Sequence, residues 1–124
     1  MKKILIPMFL LAVLAYRCGS SKSAQTDMLE GKVVRVSCAS FVVQVTNNDT
    51  IGEDGWKDMM NNDKAYDNVF AAGNKCKVPA EIKAGSTIRF KVADAAQNDC
   101  ISCMMFDGPP KAKYDITEVT MVGK

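Results

Sequence analysis

Ile88, Phe90 and Val92 alternate with Thr87, Arg89 and Lys91. This period of two predicts a strand over Ser86 to Ala93 with one buried and one wet face. The same period runs from Phe41 to Thr46, with Phe41, Val43 and Val45 on one face and Val42, Gln44 and Thr46 on the other. Met28 to Cys38 reads as the preceding strand, and Cys38-Ala39-Ser40 is short enough for a hairpin or a bulge. Asn47-Asn48-Asp49 turns the chain again. Strand character resumes over Asn68 to Lys77, around Val69 and Phe70. The last strand spans Lys113 to Val122, and there the alternation breaks. Tyr114 and Ile116 share a face, whereas Val119 and Met121 fall on the opposite one. That break predicts a bulge near Thr117 or Glu118, or a strand buried on both faces.

Two stretches depart from the strand pattern. Thr50 to Asp67 is rich in Gly, Asn and Asp, with Trp56, Met59 and Met60 at helical spacing. It reads either as a short helix capped by Asp54, with those three residues on one side, or as an ordered loop. Pro79 to Gly85 reads as one helical turn, started by the proline and stopped by the glycine. Five or six short strands in about 95 residues, with one short helical turn, predict an all-β domain. The expected architecture is a small Greek-key barrel of the OB-like kind.

The first residues follow different rules. Lys2 and Lys3 precede an apolar run from Ile4 to Ala15, the charged and apolar regions of a secretory signal and too short to span a bilayer. Leu14-Ala15-Tyr16-Arg17-Cys18 resembles the cleavage site of bacterial lipoproteins, in which the cysteine is lipidated. It departs from that pattern at Tyr16 and Arg17, where the family has small residues. Gly19 to Thr26 is polar and flexible in composition, as a tether is. The expected organisation is a signal peptide over 1–17, a tether over 18–27 after a lipidated Cys18, and the barrel over 28–124.

Processing changes the charge. Sixteen basic residues less Lys2, Lys3 and Arg17 leave 13 against 14 acidic ones, a balance of about −1 with no Lys/Arg block. Nucleic acid is therefore not an expected partner.

Five cysteines less Cys18 leave four, Cys38, Cys76, Cys100 and Cys103, which suits a disulfide framework in an exported domain of modest core. Of three possible arrangements, Cys38 with Cys103 and Cys76 with Cys100 is preferred, because a bridge from the first strand to the loop before the last closes the barrel where its ends meet. The alternative is that Cys100, Cys103 and Met104 supply soft ligands to Cu(I), or that Cys100-Ile101-Ser102-Cys103 is a redox pair. Asp99, directly before that motif, opposes a low thiol pKa.

The chain has no histidine, which removes the commonest general base and the Ser-His and Cys-His nucleophile pairs. Asp49, Glu53, Asp54, Asp58 and Asp63 carry oxygens suited to calcium but lack EF-hand spacing. Trp56 either caps the open end of the barrel or is an exposed contact for a ligand or protein partner.

Gly31-Lys32-Val33-Val34-Arg35-Val36-Ser37-Cys38 opens the domain, and Pro79 to Gly85 precedes Ile88-Arg89-Phe90-Lys91-Val92. Cys100-Ile101-Ser102-Cys103-Met104-Met105-Phe106-Asp107-Gly108-Pro109-Pro110 and a terminal strand then follow. This order resembles small bacterial envelope lipoproteins of unknown function with OB-like barrels. The likeness covers Met28 to Val122, and it implies a fold and a location but no site residues. The expectation is an exported, lipid-anchored, non-catalytic binding module without a cofactor. Its expected place is the cell envelope, in the periplasm or at the outer membrane, and its partners are the membrane and an unidentified protein or small molecule.

Overall fold

The computed structural model describes residues 28–96, 100, 101 and 103–122. The expected signal peptide, Cys18 and the tether lie outside the described residues, as do Asp99 and Ser102.

Among the described residues seven strands form: β1 (Leu29–Val36), β2 (Phe41–Val45), β3 (Trp56–Asp58), β4 (Lys64–Tyr66), β5 (Val69–Ala72), β6 (Thr87–Asp94) and β7 (Lys113–Met121). Five of them close a barrel in the order β1-β2-β5-β7-β6, and β3 and β4 make a separate two-stranded sheet. Every barrel pair is antiparallel except β5 with β7. The expected all-β barrel is thus present, and its strand order is compatible with the OB-like version.

The interior follows from the alternation. Leu29, Val33, Phe41, Val43, Val45, Phe70, Ile88, Phe90 and Ile116 share one core. Phe70 lies 5.8 Å from Phe90 and meets the edge of Tyr114 at 5.3 Å between centroids, a preferred aromatic geometry. Gly31 is the thin point of the wall. A Cβ there would stand 2.7 Å from the Gln44 carbonyl oxygen and 2.8 Å from Val43 Cγ1.

Two bulges set which residues face inward. Arg89 pairs with Thr120 and Lys91 with Thr117, so β7 holds one residue more than β6 across that interval. Glu118 is in the left-handed region, at φ 51°. The extra residue restores Val119 to the core side occupied by Tyr114 and Ile116, which resolves the broken alternation in favour of a bulge. On β1, Val33 pairs with Val43 but Arg35 with Val42, so Val34 is the extra residue. Cross-strand partners point to the same side of a sheet. Arg35 is thereby turned away from the main core and toward the face of Val42.

Two expectations are corrected. Thr50 to Asp67 forms neither a helix capped by Asp54 nor only an ordered loop: it contains a hairpin, pairing Trp56 with Tyr66 and Asp58 with Lys64. Its turn contains Asn62 and Asp63 at φ 54° and 56°, a conformation that Asn and Asp tolerate better than most residues. Asp54 instead accepts a hydrogen bond from Asn68 N, and Asp67 accepts one from Gly55 N, closing the base of the hairpin. Trp56 is buried while Met59 and Met60 are exposed, so the helical spacing of the three had no structural meaning. Among the described residues the one 3-10 turn lies at Lys75–Lys77, ahead of the expected Pro79 to Gly85. There the chain makes two successive turns, Ile82 N to Pro79 O and Ser86 N to Lys83 O, with Gly85 at φ 94°.

Candidate functional site

Ser37 organises the connection between β1 and β2. Its hydroxyl accepts from Ala39 N and Ser40 N, and its own N–H donates to Ser40 O. This is the local competition through which serine favours turns over strands. The tight turn presents Cys38 outward and brings both serine hydroxyls to the inner side. Asp107, 1 % exposed, receives them: its Oδ2 accepts from Ser37 Oγ and from Ser40 Oγ at 2.8 Å.

Arg35 completes this cluster. Its Nη1 lies 2.7 Å from Asp58 Oδ1, its Nη2 3.3 Å from Asp107 Oδ1, and its Nε donates to Ser40 Oγ. The guanidinium also stacks on Trp56, 5.0 Å from the ring centroid, an arrangement suited to a cation held out of water. Asp58 further accepts from Met60 N. One buried cation thus joins β1, the β3–β4 hairpin and the segment before β7. A charge buried this deeply persists because it is both paired and hydrogen-bonded.

Trp56 seals the arrangement. It is 8 % exposed and packs with Val42 and Val69. Its indole N–H donates to Gly108 O at 2.8 Å. The structure therefore places Trp56 as an interior seal under the hairpin and not as the exposed contact that was one expectation for it. Gly108, at φ 60°, lies against Met59, and a Cβ there would stand 3.1 Å from that side chain's terminal carbon.

The cysteines pair as preferred. Cys38 is bridged to Cys103 and Cys76 to Cys100, with Cα separations of 5.6 and 5.3 Å. Lys75 Nζ donates to Cys38 O, and Cys76 N donates to Cys100 Sγ. The 3-10 turn, the β1–β2 turn and the cysteine loop are thereby tied at one place.

Cys100 and Cys103 are bridged to different distant partners, and Met104 points fully into solvent. The Cu(I) grouping of Cys100, Cys103 and Met104 is therefore not assembled, because disulfide sulfurs are not thiolate ligands. The acids of the Thr50 to Asp67 segment do not converge either. Glu53 accepts from Ala112 N, Asp54 from Asn68 N, and Asp58 is committed to Arg35. Among the described residues no group of three or more His, Cys, Asp or Glu is arranged to hold a metal ion.

The same loop exposes Ile101, Met104, Met105 and Phe106, and the hairpin turn beside Gly108 exposes Met59 and Met60. A shallow cleft of about 80 Å³ lies nearby, lined by Ala39, Ser40, Ala71, Lys75 and Pro109 among others. It is well below the roughly 300 to 1,000 Å³ of small-molecule pockets.

Sequence reasoning did not single out Arg35, Ser37, Ser40 or Asp107. One signal was present: Arg35 continues the buried phase of Leu29, Gly31 and Val33, and a charged residue in a buried phase demands a partner. No protein-family model matches the chain, and no curated protein matches it.

Proposed function

We propose that this protein is an exported, lipid-anchored, disulfide-stapled barrel that acts as a non-catalytic binding module of the bacterial cell envelope. The observation that carries the binding role is the cysteine loop. Two disulfides and the buried Asp107 hold a short segment in place while Ile101, Met104 and Phe106 stand in solvent. Fixing apolar side chains outside a core has no benefit for folding, whereas it lowers the ordering cost of a contact. The Arg35 cluster is turned inward on itself. The cluster's polar atoms face one another, and Asp107 is closed off from solvent.

Export and anchoring rest on the leader: the Lys2-Lys3 n-region, the Ile4 to Ala15 run, Cys18, and the polar stretch after it. Disulfides suit the same compartment. The test is a membrane fraction from cells expressing the full chain with a photoreactive residue in place of Met104. Intact mass should show an acylated chain beginning at Cys18, and illumination should give discrete adducts. A chain without acyl groups removes the anchor, and the absence of any adduct removes the binding role.

A further inference from the structure

Ile101, Met104 and Phe106 are 91, 105 and 80 % exposed, on a loop tied to the barrel through Cys100 and Cys103. Met59 touches Gly108 and extends the same neighbourhood to Met60 and Met105, each about half exposed. Apolar side chains this exposed and this close in sequence are the mark of a surface that meets a partner.

Lysines stand beside the cysteine loop, with one acid, Asp99, directly before Cys100 in the sequence. Lys75 and Lys77 flank Cys76, which is bridged to Cys100. Lys111 follows Pro110 on the same segment. Among the described residues near the patch, Asp63 is the exposed acid of the hairpin turn, whereas Asp58 and Asp107 are buried against Arg35. Protruding apolar tips with a lysine rim are the chemistry of a surface that settles into an anionic bilayer interface.

Chain length permits that docking. β1 separates Met28 from the Cys38 turn by about 25 Å, eight residues at roughly 3.3 Å each. The ten residues from Cys18 to Asp27 reach up to about 35 Å. A barrel held at Cys18 can therefore lay its cysteine loop on the membrane that anchors it.

We propose that the patch of Ile101, Met104 and Phe106, with Lys75 and Lys77 beside it, docks on an anionic lipid surface. This rests on the binding-module reading and names its ligand. The apolar tips enter the boundary between headgroups and acyl chains, and the lysines meet lipid phosphates.

The closed sheet draws all its strands from residues 29–121, so a chain from Gly19 to Lys124 keeps the whole barrel without acyl chains. This oxidised chain is sedimented with vesicles of phosphatidylethanolamine containing about one part in four phosphatidylglycerol, and with phosphatidylcholine vesicles. The expected result is binding to the anionic vesicles alone, weakening as salt is raised. Affinity should fall about tenfold or more in the Met104→Ser/Phe106→Ser variant and more modestly in Lys77→Glu. All three positions are exposed, so circular dichroism should be unchanged.

No binding, equal binding to both vesicles, or indifference to Met104→Ser/Phe106→Ser overturns the proposal. So does a concentration-dependent dimer that buries the patch. If vesicles are ignored while the photoreactive residue at position 104 still gives discrete protein adducts, the lipid assignment fails and the binding role stands. If neither occurs, both fail.

Discussion

Arg35 Nη1 lies 2.7 Å from Asp58 Oδ1, across 23 residues of chain and between two different sheets. The contact exists because the Val34 bulge turns Arg35 toward Val42 and because Asp58 sits at the end of β3, where it faces the barrel. The hairpin is fastened to the barrel by this ion pair, by Trp56 over Val42 and Val69, and by the Glu53–Val69 bridge.

Removing the cation alone should be costly. Arg35→Met leaves Asp58 and Asp107 buried without their counter-charge, and the expected loss is about 3 to 5 kcal/mol in urea denaturation. Replacing the three together, Arg35→Met with Asp58→Leu and Asp107→Leu, should recover most of it, since no charge is then left buried. A loss below about 1 kcal/mol for the single substitution is what an exposed pair would give and would contradict the burial seen here.

Trp56 is the only tryptophan, so its fluorescence reports on one environment. Emission should be blue-shifted relative to an exposed indole, and acrylamide should quench it weakly until the protein unfolds. Trp56→Phe removes the donor to Gly108 O and should cost about 1 to 3 kcal/mol, the range for a buried acceptor left unsatisfied. Strong quenching in the folded state would show that the ring is exposed after all.

These two residues also mark where sequence reading stopped. Strands of five to nine residues carry enough alternation to be seen, and β1, β2, β6 and β7 were legible for that reason. β3 and β4 have three residues each, too few for a period to emerge, so the chance spacing of Trp56, Met59 and Met60 suggested a helix. The Lys75–Lys77 turn likewise has no periodic signature. The cysteine pairing was accessible from the topology of a closed barrel. The Arg35 cluster was not, because its contacts bring Ser37 and Ser40 to Asp107 across 70 and 67 residues. No local pattern encodes such distances.

The two disulfides should differ in worth. Cys38–Cys103 encloses 65 residues and Cys76–Cys100 encloses 24. Loop-closure entropy then assigns roughly 4 kcal/mol to the first and about 3.5 to the second. Cys38→Ser should lower the thermal midpoint under non-reducing conditions by more than Cys76→Ser does. The reverse order would mean that native contacts of the Lys75–Lys77 turn, rather than chain entropy, dominate.

The β7 bulge permits the sharpest test of the fold, because it places one non-glycine residue at a positive φ in the middle of a strand. Glu118 sits at φ 51°, and its ion pair with Lys91, though 2.8 Å long, is exposed on both sides and adds little. Glycine adopts that conformation without the steric cost of a Cβ. Glu118→Gly should therefore be neutral or stabilising by up to about 1 kcal/mol, whereas in an ordinary strand a glycine costs about that much. Deleting Glu118 should likewise be tolerated, because it takes out the extra residue of the bulge. It would leave β7 regular, with Val119 at the parity of Tyr114 and Ile116 and still on the core side, and the register with β6 beyond it unchanged. If the deletion instead costs about 2 kcal/mol or more and Glu118→Gly is harmful, β7 continues without a bulge and Val119 does not face the core.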